Sequence, residues 1–423
     1  MSWIRVVVLG GLAAWSAVAG SSDAVAHEAD APAEQMPRSS LPLIGWWGPP
    51  PTDYHLTIYG QALLTWTPMT LPDATVSALD RALAQRLRVM LVMPGEDAFD
   101  LERIPNAVRA HEAVVACLVY EGVTEDTAAE AAQRAVALGE FAPEWTPVAT
   151  VAPTLDDPAW EAAAMTLAAA GIPVLPMVLP FLADGTTDEA SLYAALRGAA
   201  SAAQRTGVPL WGMVQVTEHE DRRRASESDM RLQAYASLAH GARGLAYFTY
   251  WGPPVGHVAA DDPLASYGLA MVDVTRGLPS YGHQMARIIN AEITLMSPYL
   301  ETLTPQGVYF VGDIPRGGQA LRQGVGPISR IDSAGALVGF FEGDDGNAWA
   351  MVVNRQHGIM RSARTQGRTM AIYFEDAFSA IHVFERQTAF EIPVPVDTGS
   401  FTITLPGGTG SLIRFDRGSD GTE

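Results

Sequence analysis

The sequence predicts an α/β protein, a (β/α)8 barrel followed by a smaller all-β sandwich domain. Three observations lead there. From residue 41 short apolar runs alternate with helix-patterned stretches, as parallel βα units require. The apolar runs number eight over about 210 residues, the count that closes a barrel. Beyond residue 290 the helical texture gives way to closely spaced strand-like runs.

Taken in order, the strand candidates of the first region are residues 41–48, 62–69, 88–95 and 113–120. Residues 146–153, 172–180, 208–216 and 242–251 complete the eight. Between them, VSALDRALAQRL places apolar residues at 76, 79, 83 and 87 on one helical face. TAAEAAQRAVALGE is alanine-rich, and WEAAAMTLAAAG ends on a glycine suited to a helix C-cap. SLYAALRGAASAAQR follows, and in the last unit Ser226 and Asp229 fit a capping box with Met230, Ala234 and Leu238 on one face. The first helix, within TDYHLTIYGQ, is short and weakly patterned. A doubly wound open sheet is the rival, but no glycine-rich phosphate loop follows the first strand.

In the second region GALVGFFEGDDGNAWAMVVNRQ reads as two strands joined by a turn at Asp344-Asp345-Gly346-Asn347. MAIYFE, AIHVFER, AFEIPV, SFTITLP and GSLIRFD follow at sandwich spacing. EGDDGN lacks the remaining ligand positions of a calcium loop. The expected organisation is a signal peptide over 1–26, a linker over 27–40, the barrel over 41–290 and the sandwich over 291–423.

The signal peptide rests on Arg5, the apolar run VVVLGGLAAWSAVAG and two A-x-A sites at Ala17-Val18-Ala19 and Ala24-Val25-Ala26. Export to the periplasm or exterior follows, with no membrane span after cleavage; an uncleaved anchor is the alternative. The single cysteine, Cys117, lies in an apolar run and excludes an internal disulfide, so the core alone must hold the fold. Apolar residues make up 48% of the 423 and charged ones 17%, a globular composition. A formal net charge of −20 disfavours nucleic acid and anionic membrane surfaces as partners.

A barrel of this kind keeps its active site at the C-terminal ends of the strands. There the sequence places Trp46 and Trp47 after strand one, Trp66 and Thr67 on strand two, and Tyr120 and Glu121 after strand four. Strand seven delivers Gln215, Thr217, Glu218, His219 and Glu220, and strand eight Tyr247, Tyr250 and Trp251. Aromatic faces suit sugar rings, and paired carboxylates suit a glycosidic bond, one held protonated and the other ionised. The plainer alternatives are a loop acid at Glu121, a solvated charge run in EHEDRRR, and core packing for Trp46 and Trp47. Tyr247 and Tyr250 fall on opposite strand faces, so at most one should face the interior. Glu218, His219 and Asp221 lack the H-E-x-x-H spacing of a metal site, and no cofactor is implied. No G-x-S-x-G elbow suggests a serine hydrolase.

WWGPPP near the start, a Glu ending strand four and MRLQAYASLAHGARGLAYFTYW at strand eight resemble the clan A type of glycoside hydrolase barrel, in particular its divergent beta-galactosidase-like branch. The resemblance covers roughly residues 41–290, and VGFFEGDDGNAWAMVVNR and LPGGTGSLIRF resemble the C-terminal sandwiches of those enzymes. It implies Glu121 as acid/base, Glu218 as nucleophile with Glu220 the competing position, and Trp251 lining a sugar subsite. That family places Asn before the acid/base, where this chain has Tyr120. The expected activity is retaining hydrolysis of a glycan, with the carboxyl groups about 5–5.5 Å apart. The alternative is a carbohydrate-binding pseudoenzyme of the same fold.

Overall fold

The structure is a computed structural model that describes residues 39–93, 99–152, 158–219, 221–252, 267–374, 378–396 and 398–417. The expected signal peptide and all but the last two residues of the expected linker lie outside the described residues.

Eight parallel strands close into a barrel: β1 (Leu43–Gly45), β2 (Trp66–Thr70), β3 (Arg88–Val92), β4 (Val114–Val123), β5 (Thr146–Val151), β6 (Val174–Pro176), β7 (Leu210–Gln215) and β8 (Ala242–Phe248). Closure is made by β1 against β8, with Leu43, Ile44 and Gly45 opposite Leu245, Ala246 and Tyr247. All eight apolar runs read from the sequence are strands, although most are shorter than the runs.

The helices between them are α1 (Asp53–Gln61), α2 (Val76–Ala84), α3 (Asn106–Arg109), α4 (Glu125–Phe141), α5 (Pro158–Ala169), α6 (Glu189–Thr206) and α7 (Glu227–Ala239). Local chemistry sets their ends. Ser226 and Asp229 form the expected capping box at the start of α7. Gly171 has the expected left-handed conformation after α5, with φ +79°, a region a Cβ disfavours.

Period-two alternation sorts the strands into two layers. Ile44, Met90, Ala116, Val148, Leu175, Met213, Ala246 and Phe248 pack together inside the barrel. Leu43, Cys117, Ala149, Val214, Leu245 and Tyr247 belong to the larger core shared with the helices.

A short hairpin of β9 (Val272–Asp273) and β10 (Leu278–Pro279) leads into α8 (Tyr281–Leu300). This helix runs across the position where the sequence reading divides the two domains. Then come β11 (Leu303–Gly312), β12 (Ile328–Asp332), β13 (Gly335–Gly343), β14 (Ala348–Asn354), β15 (Arg368–Phe374), β16 (Phe378–Phe384), β17 (Glu391–Val394), β18 (Ser400–Leu405) and β19 (Gly410–Arg417). They form a six-stranded sheet, β11-β13-β14-β19-β16-β17, and a three-stranded sheet, β12-β15-β18. One face of the larger sheet packs Val338, Phe340, Val352 and Phe415 against Met370 and Ile372 of the smaller one. Its other face turns Leu337, Phe341, Trp349 and Met351 toward the barrel core.

Helix α7 is caught between the barrel and that sheet, and every residue from Ser228 to Ala239 is buried. A Cβ on Gly339 would stand 2.0 Å from the Ala239 carbonyl oxygen, so glycine is what permits this close approach. Polar groups on such a helix need partners. Gln233 accepts from the Gln215 amide at 2.7 Å and donates to Val178 at 3.1 Å. The Arg231 guanidinium meets Glu292 at 2.8 and 3.1 Å, and the Tyr235 hydroxyl donates to the same carboxylate.

Candidate active site

Simple alternation along β4 would carry Ala116 and Leu118 inward, then Tyr120 inward and Glu121 outward. The strand does not keep that register. Leu118 pairs with Val148 but Tyr120 pairs with Ala149, so two residues of β4 oppose one of β5. This bulge inverts the alternation. Tyr120 turns out to the helix layer, where the Arg134 guanidinium lies 5.0 Å from its ring centroid. Glu121 turns into the barrel, where the Trp46 indole Nε1 donates to its Oε1 at 2.7 Å. Gly122 has φ +71°, and its amide donates to the Thr150 hydroxyl on β5 at 2.8 Å, which fixes the strand end in this course.

Burial raises the Glu121 pKa above the ordinary carboxylate range, and the Trp46 hydrogen bond opposes that rise without cancelling it. A carboxyl group in the mouth of a barrel whose pKa is raised by burial is shifted in the direction a general acid needs.

The chain after β1 is laced to the chain after β8. Trp46 donates its amide to Tyr247 at 2.8 Å, Tyr250 donates to Trp46 at 2.7 Å and Trp251 donates to Trp47 at 3.0 Å. Trp46 is fully buried, whereas Trp47 is half-buried and has φ +57°. The Trp47 ring lies 5.6 Å from Phe248 and 5.0 Å from Tyr267, and Tyr267 lies 3.9 Å from the His219 ring. These four rings form a continuous aromatic rim joining the ends of β1, β7 and β8.

Glu218 follows β7 on this rim and is exposed. Its carbonyl accepts from the Gly268 amide at 3.0 Å, and a Cβ on Gly268 would stand 2.0 Å from the Glu218 Cγ. The carboxylate thus lies across the glycine of the loop after β8. Glu220 lies outside the described residues. Among the described residues no cluster of His, Cys, Asp and Glu side chains could hold a metal ion.

Five residues assigned to the mouth by sequence are placed elsewhere. Trp66 is the first residue of β2, at the opposite end of the barrel, edge-on to Trp211 at 5.5 Å. Tyr120 is on the helix side of the bulge. Gln215 is fully buried, its amide engaged by the Phe181 backbone at 3.1 and 3.3 Å and by the Arg223 carbonyl at 2.6 Å. Tyr247 faces α8, where its hydroxyl donates to Asn290 at 2.6 Å. Tyr250 packs on Tyr59 at 4.4 Å, so neither strand-eight tyrosine faces the interior. Trp251 is buried at the rim, edge-on to His55 at 5.0 Å.

Phe248 and Tyr267 are rim residues that sequence reasoning missed. Phe248 was accessible, since it shares the inward alternation of Ala246. Tyr267 sits in an irregular loop that carries no periodic signal.

No protein-family model matches the sequence, and no curated protein does. Among solved structures the chain is similar to a glucosidase from Croceicoccus marinus, at 11% identity over 91% of this chain and 97% of that one, with a TM-score of 0.43. It is similar to a family 51 alpha-L-arabinofuranosidase from Bifidobacterium longum, at 12% identity over 91% and 98% of the two chains, with a TM-score of 0.42. An alpha-L-arabinofuranosidase from Thermotoga maritima is similar at 10% identity over 89% and 97%, with a TM-score of 0.45. The barrel and the trailing sheets stand on the chain's own strand pairing rather than on these likenesses.

Proposed function

We propose that the chain is an exported glycoside hydrolase acting by a two-carboxylate, retaining mechanism. The observation that carries the reading is Glu121: a carboxyl turned into the barrel by a bulge, held by Trp46 and kept protonated to higher pH by burial. Glu121 gives its proton to the leaving glycosidic oxygen while Glu218 attacks the anomeric carbon, so the glycosidic bond breaks as a glycosyl ester forms. Water then attacks that ester as Glu121, now ionised, takes the water's proton, which regenerates both carboxyl groups. The half-buried Trp47 offers a stacking face for the sugar, backed by the buried rings of Phe248 and Tyr267. Export is supported by the N-terminal Arg5, the apolar run and the two A-x-A sites.

A second reading, a carbohydrate-binding protein without turnover, is favoured by one observation. Glu218 is exposed and lies over Gly268. Assay of the wild type, Glu121→Gln and Glu218→Gln on a panel of glycosides separates the two. The hydrolase reading expects wild-type turnover, lost in both variants while binding persists. Binding without turnover in the wild type supports the second reading, and activity retained in Glu121→Gln contradicts the first.

A further inference from the structure

The end of the barrel opposite Glu121 carries its own cavity, about 470 Å3 in volume, walled by Ser39, Ser40, Thr65, Trp66, Arg86 and Arg88. Trp66 opens β2 and Arg88 opens β3, and the two are register partners in this parallel pair, so both side chains leave the sheet on one face at the barrel floor. Trp66 is pinned edge-on by Trp211 at 5.5 Å. Arg86 comes from the turn that ends α2 and is exposed, as is Arg88. Arg88 donates to the Glu112 carbonyl at 2.9 Å, and neither arginine pairs with a carboxylate among the described residues. The Thr65 hydroxyl bridges Leu43 and Leu41 at 2.9 and 3.1 Å, which fixes the wall that carries Ser39 and Ser40.

In a chain of net charge −20, Arg86 and Arg88 bring two guanidinium groups to one pocket, and neither has a carboxylate partner among the described residues. Such groups recognise a planar anion, most strongly when two of them share it. An indole lining the same cavity recognises the apolar face of a ring. We propose that this floor pocket binds a sugar acid, a pyranose ring that bears a carboxylate, with the ring against Trp66 and the carboxylate bridged by Arg86 and Arg88. The serine hydroxyls give the ring's hydroxyls a polar edge. This site shares no residue with the mouth and does not depend on turnover there.

Calorimetric titration of the full chain with sodium glucuronate tests the proposal, with glucose and sodium acetate as probes of ring and charge alone. Glucuronate is expected to bind, with glucose and acetate each weaker by roughly tenfold or more. Arg86→Gln and Arg88→Gln should each weaken glucuronate by roughly tenfold, and Glu121→Gln should leave it unchanged. Both arginines are exposed, so the variants are expected to fold, and their circular dichroism checks this. Absence of glucuronate binding, acetate binding equally well, or loss in Glu121→Gln with the arginine variants unaffected would each overturn the assignment.

Discussion

Replacing Trp46 by Phe removes one N–H from the barrel mouth and tests how Glu121 is held. The indole donates to the carboxylate at 2.7 Å from a side chain only 1% exposed, so water does not replace the bond freely. A hydrogen bond to a charged group contributes about 1.5–3 kcal/mol. Its loss makes ionisation of Glu121 costlier by that amount, and the ratio of ionised to protonated Glu121 at fixed pH falls roughly 10- to 100-fold. The titration of Glu121 should therefore move to higher pH in Trp46→Phe. Carboxyl NMR on protein labelled with 13C-glutamate reads this directly, the resonance being assigned by its absence in Glu121→Gln. The smaller ring also leaves a void that lowers stability by about 1–2 kcal/mol, which urea unfolding measures separately. A titration that stays in place, or moves toward acid, would refute the claim that Trp46 stabilises the carboxylate form.

Other perturbations have equally definite outcomes. Because the folded pKa of Glu121 is raised, the native state holds a proton that the unfolded chain releases, and stability falls as pH rises between the two values. Glu121→Gln should abolish that fall, seen as a flatter pH dependence of the urea midpoint. Glu292→Ala leaves the buried Arg231 charge with Glu227, at 3.2 Å, as its remaining carboxylate and should cost about 3 kcal/mol by the same assay, whereas a paired Arg231→Met, Glu292→Leu change should cost less. Burial lowers the His357 pKa, but Asp229 at 2.7 Å and Glu189 at 3.8 Å outweigh it and raise the value. That contribution is complete below the unfolded value of about 6.5 and is lost as pH rises through the higher folded value, so His357→Gln should remove a loss of stability on the alkaline side. Gly122→Ala forces a Cβ into the left-handed region at φ +71°, for about 1–2 kcal/mol, and should lower activity by disturbing the bulge that aims Glu121.

The eight strands were legible because each carries a short, mostly apolar and mostly buried stretch between helix-patterned segments, and the capping box of α7 because its chemistry is local. What alternation could not supply was the direction of Glu121. Period-two reading sends it outward, and only the pairing of Tyr120 with Ala149 sends it in. Trp66 was misplaced for a related reason. Its depth depends on where β2 begins, and the apolar run starts four residues before the strand does. Gln215 and Tyr247 have polar atoms that looked available, but their partners, Arg223, Phe181 and Asn290, are remote or irregular in sequence. The sequence boundary at residue 290 fell inside α8 because that helix serves both the barrel, through Asn290, and the sheet-facing helix, through Glu292.

The central claim is that Glu121 is the acid that meets the scissile bond, and a crystal structure with a bound oligosaccharide tests it most directly. The account predicts a sugar stacked on the aromatic rim with its glycosidic oxygen within about 2.6–3.2 Å of a Glu121 carboxyl oxygen. A saccharide bound at the mouth with Glu121 still shielded behind Trp46, touching no atom of the ligand, would contradict it.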